Sequence, residues 1–219
     1  MEAISKSSPL NKSQHGFMKC RSTLTNLIIA ENEIADAINE HEPVDIITFD
    51  FSSAFDRVPH HLLLHELEKH GITGAALRWI ASFLTERTQS VRFGVLSSAV
   101  PGSSGVIQGS VLGPALWTIF MDSLLASLDI PAPSFADDLK FVARLKKYSA
   151  TLVQSNVDRV FNWSVSMGMP LSLCKLYVLH YGLANPCQKY HCGSSDFQVT
   201  ETFPISVFSV QQIRYITST

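Results

Sequence analysis

Residues 44–51, VDIITFDF, carry apolar side chains at both odd and even positions. That is the pattern of a central strand covered on each face, and a chain that contains it must build layers around it. Asp50, near the strand's end, brings a carboxylate to the margin of this buried element. With 219 residues and 46% hydrophobic content, the chain has material for one sizeable core.

The flanking segments supply the layers. After a polar stretch over residues 1–21, Ser22 is placed to cap a helix carrying Leu24, Leu27, Ile28, Ile34 and Ile38 on one side. Further helices are predicted from Pro59 to His70 with Gly71 as the stop, from Gly74 to Leu84, from Ala115 to Leu128 behind Pro114, and from Thr151 to Met167 ahead of Gly168. Gln89–Val95 alternates at period two and returns through a Ser/Gly/Pro-rich stretch ending at Gly105, which predicts a hairpin. Ser134–Ala143 (SFADDLKFVA) predicts a second, tight hairpin with Asp137 and Asp138 at its bend. Leu171–Tyr181 reads as a strand, and beyond Gly182 only short strands and loops are indicated. Helices interleaved with strands and hairpins imply an α+β fold, a mixed sheet with helices packed on one face.

Two adjacent carboxylates at a bend are costly to hold together unless a cation neutralises them or one takes up a proton. Hard divalent cations such as Mg²⁺ meet that need through oxygen ligands. If the fold brings Asp50 beside Asp137, the result is a two-metal carboxylate site suited to in-line phosphoryl chemistry. Taken alone, an Asp-Asp pair is more often a solvated surface loop. Here its neighbours Phe135, Ala136, Leu139 and Phe141 are apolar and argue for a partly buried setting. The formal charge of -2 gives no global basic signature, so a nucleic-acid partner has to be met by local clusters. No apolar run approaches the ~20 residues needed to cross a bilayer. Cys20, Cys174, Cys187 and Cys192, without a leader-like start, point to a reducing, intracellular setting (cytoplasm or nucleus, not secreted) without disulfides.

Several segments, in order, resemble the reverse transcriptase of non-LTR (LINE-like) retrotransposons. Gln14–Thr23 (QHGFMKCRST) looks like the segment just ahead of that family's palm, Phe49–His60 (FDFSSAFDRVPH) like motif A, Gln108–Pro114 (QGSVLGP) like motif B, and Phe135–Asp138 (FADD) like motif C. Asn162–Lys175 is similar to the motif D region. The resemblance covers about residues 9–192.

It implies a palm-like fold with partial fingers and no thumb, divided as 1–43 (loop and helix), 44–192 (palm) and 193–219 (divergent tail). The implied activity is RNA-directed DNA polymerisation, transfer of a nucleotide from dNTP to a primer 3′-hydroxyl with two Mg²⁺ ions, or Mn²⁺ in their place. The implied partners are an RNA template, a DNA primer, dNTP and the remaining parts of a larger polyprotein. Asp50, Asp137 and Asp138 correspond to the catalytic, metal-binding acids, with Asp50 and Asp137 the direct ligands and Asp138 supporting. Phe55 corresponds to the aromatic beneath the incoming sugar, favouring dNTP over NTP. Gln108 and Gly109 match the pair at the incoming nucleotide and template, and Lys175 the lysine that protonates or steadies the departing pyrophosphate. Departures are Ile107 for a proline, Asp122-Ser123 for Asn-Asp, and Ser172 for an asparagine.

Alternatives stand beside this reading: a catalytically silent relic or nucleic-acid-binding module that keeps the palm fold, and a metal-dependent phosphodiesterase, against which Phe55 and the Gln-Gly pair speak. Asp56 is expected to cap the helix beginning near Pro59 rather than to join the acids. His61 and His65 are one turn apart without further ligands, so a helix face explains them better than a metal, and His191 with Cys187 and Cys192 is a poor zinc pattern. Lys140, Arg144, Lys146 and Lys147 line a template path or a solvated strand end. Trp79, Trp117 and Trp163 are expected in the core.

Overall fold

In the computed structural model the two-faced apolar segment becomes β1 (Val44–Phe49), buried at all six positions. The structure describes residues 9–85, 87–182 and 184–201. The expected loop at residues 1–8 and the end of the tail, 202–219, lie outside the described residues.

Two antiparallel neighbours flank β1. Ser134–Phe135 (β2) and Asp138–Arg144 (β3) form a hairpin, and β3 pairs with β1 from Val44↔Arg144 to Phe49↔Leu139. Tyr177–Tyr181 (β4) pairs with the other edge of β1, and Gln198–Val199 (β5) adds to β4 in parallel, giving the mixed order β5-β4-β1-β3-β2. Residues 198–199 thus belong to the same sheet, and the Phe197 ring meets Phe49 edge-on at 5.5 Å between centroids.

Alternation along the strands divides the core in two. On one face Ile47, Phe49, Phe141, Ala143 and Val178 pack with five helices. These are α2 (Ala54–Arg57), α3 (His60–Lys69), α4 (Gly74–Thr85), α5 (Gly113–Ala126) and α6 (Ala150–Ser166). On the other, Val44, Ile46, Val142 and Leu179 are covered by Ala30, Ile34 and Ala37 of α1 (Thr23–Asn39). The main helical layer lies on one face as expected; among the described helices α1 covers the second, as a strand apolar on both faces requires.

Local signals set the helix ends. Ser22 and Thr25 form a capping box at α1, Pro59 is the N-cap of α3, and Pro114 lies in the first turn of α5. Ser149 caps α6 by accepting the Leu152 N–H at 3.2 Å. Ser149→Ala is expected to cost about 1 kcal/mol, read as a lower urea midpoint at unchanged slope.

Three expectations are corrected. The strand predicted from Leu171 starts only at Tyr177: Leu171 bridges Phe51, and Leu173–Lys175 then turn as a 3₁₀ helix. Trp79 is 60% exposed, stacked on Phe83, while Trp117 is fully buried and Trp163 donates its indole N–H to Ser123 Oγ at 3.0 Å. The basic cluster divides: Lys146 and Lys147 are exposed, whereas the other two are not available charge. Lys140 is buried, and Arg144 holds Glu40 at 2.6 Å and Glu42 at 2.7 Å.

A carboxylate inside β1 has its own compensation. Asp45, fully buried, accepts from Tyr190 OH at 2.7 Å and Asn185 Nδ2 at 2.8 Å, and lies 2.7 Å from His180 Nδ1. This network ties the segment after β4 back onto the sheet, and satisfies a charge that burial alone would make untenable.

Candidate active site

The end of β1 and the β2–β3 turn are neighbours because β1 and β3 pair in register to Phe49↔Leu139. The chain leaves β1 at Asp50 and immediately meets residues 170–172: Ser52 N–H donates to Pro170 O at 2.9 Å and Ser172 N–H to Asp50 O at 2.8 Å. That pairing delivers the 3₁₀ turn to the same place, and Lys175 Nζ lies 3.2 Å from Asp50 Oδ2.

Within the two-residue turn, Ala136 has φ +56 and Asp137 follows it, while Asp138 already belongs to β3 opposite Phe135. Positive φ at the first turn position matches the twist of a tight hairpin but normally falls to glycine. An alanine there is a strained position that the surroundings must enforce.

Asp50, Phe55, Gln108, Gly109, Asp137 and Lys175 line one open cavity of about 730 Å³. Asp138 does not. It borders a smaller recess with Asn26, Thr48 and Lys140. Asp138 opens β3 whereas Asp137 belongs to the turn, so the two side chains border different recesses. Asp137 is held above the ordinary carboxylate range, first by loss of water around it and then by the Asp50 charge, with Lys175 opposing. Asp138 is raised by desolvation on its protein side and then by Asp137. Lys175 is raised by its hydrogen bond and attraction to Asp50.

The donor chemistry fits a divalent cation. Mg²⁺ is usually held by one or two carboxylates together with substrate phosphates, and two carboxylates facing an open cavity offer that number. Asp50 already carries an ammonium, which marks it as a position that takes a cation. Among the described residues no group of three or more His, Cys, Asp or Glu side chains forms a closed metal cage.

The wall opposite the acids is built by the loop ahead of α5. Gly105 and Val106 donate their N–H groups to Val58 O at 2.8 Å and Phe55 O at 2.7 Å, and Arg87 and His60 both reach Gly105 O, at 2.6 and 3.0 Å. Ser110 Oγ then closes the turn, donating to Ile107 O at 2.7 Å and accepting from Gly113 N–H at 2.9 Å. Gly109 has φ +79, a backbone that side chains resist, so the turn itself requires glycine. Phe55 forms the floor: it stacks on buried Trp117 at 4.9 Å and 24° and meets Phe17 edge-on at 6.0 Å.

Asp56 does not cap α3. Its Oδ1 accepts from Gln108 Nε2 at 3.0 Å, and its backbone oxygen accepts from Ser104 Oγ. Sequence reasoning missed this link because 52 residues separate the pair. By fixing which end of the amide faces the cavity, Asp56 orients Gln108. Asp56→Ala is expected to free the Gln108 amide, read as faster hydrogen exchange of a peptide spanning residues 106–112. The departures from the family pattern have partners too. Asp122 Oδ1 accepts Asn11 N–H at 2.6 Å, Ser123 accepts the Trp163 indole, and Ser172 does not displace Lys175. The poor zinc pattern resolves into a His191–Asp196 contact of 2.6 Å and a buried Cys192 whose thiol burial pushes up to about 11.

A mixed, mostly antiparallel sheet with its helical layer, and acids gathered at a strand end and a hairpin turn, define the palm class of nucleic-acid polymerase folds. The reverse transcriptase (RNA-dependent DNA polymerase) family model matches residues 1–217, and the chain belongs to that family. It is 27% identical over 187 residues to the Retrovirus-related Pol polyprotein from type-1 retrotransposable element R2 of Popillia japonica, covering 76% of this chain and 25% of that protein. It is 30% identical over 164 residues to the RNA-directed DNA polymerase from mobile element jockey of Drosophila melanogaster, covering 70% and 18%. The chain therefore spans a quarter or less of these relatives' length. Among solved structures, apo telomerase from Candida tropicalis, truncated from its C-terminal domain, matches 87% of this chain and 40% of that one, with TM-score 0.63 and 16% identity, a likeness of fold. No helix among the described residues is long and apolar enough to cross a membrane.

Proposed function

We propose that this chain is the palm of an RNA-directed DNA polymerase of the non-LTR retrotransposon kind, which copies an RNA template by extending a DNA primer with dNTPs. The observation that carries the reading is the shared cavity: Asp50 and Asp137, from separate elements, face Phe55, Gln108 and Gly109 across it. Two Mg²⁺ ions, or Mn²⁺, would supply a sharpened 3′-hydroxyl nucleophile and stabilise charge on the leaving pyrophosphate.

The chain's own residues have distinct tasks. Asp50 and Asp137 would hold the ions, with Asp138 supporting. Phe55, braced by Trp117, would set the floor beneath the nucleotide sugar, and Gln108, oriented by Asp56, would contact the nucleotide. Lys175, fully protonated at neutral pH given its upward shift, would place a proton and a positive charge at the departing pyrophosphate. The remaining parts of a longer polyprotein would hold the template-primer duplex.

Extension of a DNA primer on RNA templates that differ in the first templating base tests this. The expected result is Mg²⁺-dependent addition of the complementary dNTP only. Binding of template-primer without extension by the full chain would instead favour a silent module, and base-independent cleavage would favour a phosphodiesterase.

A further inference from the structure

The strained Ala136 has a clasp. Residues 13–16 run alongside β2 as an extra edge: His15 N–H donates to Ser134 O at 2.8 Å and Ser134 N–H to Ser13 O at 2.9 Å. From this strap the Gln14 side chain, 1% exposed, reaches both sides of residue 136. Its Oε1 accepts the Ala136 N–H at 3.2 Å, and its Nε2 donates to Ala136 O at 3.3 Å. The same Oε1 accepts Gly16 N–H at 2.8 Å, which fixes the amide's orientation. Gly16 is what lets the strap come so close, because a Cβ there would stand 2.3 Å from Ala136 N.

The strap is itself moored. Asp122 of α5 takes Asn11 N–H at 2.6 Å, the Arg21 guanidinium donates to Gln14 O at 2.6 Å and also to Lys12 O, and His15 Nδ1 lies 2.8 Å from Thr25 Oγ1. A residue held in a sparsely populated backbone region persists only where its surroundings over-determine it, and such positions gather where geometry matters to chemistry. A side-chain amide reading both the N–H and the C=O of one residue meets that need.

We propose that Gln14, with Gly16, is a positioning residue that locks the Ala136–Asp137 turn so that Asp137 faces Asp50; its consequence for metal binding rests on the polymerase reading above. Gln14 touches no substrate. It acts through the Ala136 peptide on the direction of the next side chain.

The test uses the full chain as wild type, Gln14→Ala, Gln14→Glu and Asp137→Asn, with two readouts. Hydrogen exchange of a peptide spanning residues 134–139 is expected to speed up at least tenfold in Gln14→Ala, with the rest of the sheet unchanged. Gln14→Glu keeps the acceptor and loses the donor, so it is expected to fall between and to guard against a variant that fails to fold. Mn²⁺ affinity, read as free Mn²⁺ by electron paramagnetic resonance, is expected to weaken at least fivefold in Gln14→Ala at a thermal midpoint close to wild type. Unchanged exchange across the turn overturns the clasp. Unchanged Mn²⁺ affinity, beside a wild type whose binding Asp137→Asn abolishes, overturns the positioning role. A wild-type chain that binds no Mn²⁺ counts against the polymerase reading and against positioning for metal, while the exchange result still decides the clasp.

Discussion

Asp137→Asn is expected to lower RNA-templated extension by about 10³-fold or more and, at the same time, to make the metal-free chain more stable. The loss follows from removing one of the two carboxylates that line the cavity among the described residues, where charge stabilisation would carry most of the catalysis. The gain follows from the site's cost. Asp137 is held above the ordinary carboxylate range by desolvation and by Asp50, so keeping it ionised at neutral pH works against folding. Because its folded-state pKa exceeds the unfolded one, the folded chain binds more protons between the two values. The penalty is absent below the unfolded value, near 4, and grows as pH rises through the raised one. The wild-type, metal-free chain should therefore lose stability over that rise and the variant should lose less, leaving it ahead at pH 7. Saturating Mg²⁺ reverses the order by stabilising only the wild type, by about 2.7 kcal/mol at a hundredfold excess over Kd. Thermal melts from pH 4 to 8, with and without Mg²⁺, check both signs.

Phe55→Ala is expected to reduce the preference for dNTP over NTP by on the order of 10²-fold. The ring cannot withdraw from the cavity floor, because Trp117 behind it is fully buried and stacked against it and Phe17 closes the edge. In the proposed role, a 2′-hydroxyl would meet the fixed ring, and shortening the side chain would make room for it. The ratio of kcat/KM for matched dNTP and NTP is the measurement, since a general loss of activity cancels from it. A ratio unchanged within twofold would show that Phe55 does not sense the sugar.

What could be read in the sequence was local. Ser22 before a helix, Pro59 and Pro114 at helix starts, and the double-sided apolar run at β1 state their structure within a few residues. The acids that line the cavity, Asp50 and Asp137, stood out through the resemblance of their motifs to the family. What stayed hidden depends on long-range pairing. The strap over residues 11–16 is short and polar, with no alternation to mark it as an edge, although it clasps a turn 122 residues away. Asp56 was assigned by its nearness to a helix start, whereas a partner in another motif decides its role. Lys140 looked like surface charge by type and is buried by its place in β3, and Trp79 looked like core by type and is exposed because α4 turns it outward. Residue type sets a tendency, and the register of the sheet decides which face receives it.

The central claim is that Asp50 and Asp137 together hold the divalent ions of a polymerase site. A crystal of the chain grown with Mn²⁺ and a dNTP, measured at the manganese absorption edge, tests it most directly. The predicted result is anomalous density in the cavity, coordinated by oxygens of both carboxylates, with Lys175 moved off Asp50. Manganese bound elsewhere, or a cavity without it in which Lys175 still pairs with Asp50, would contradict the account.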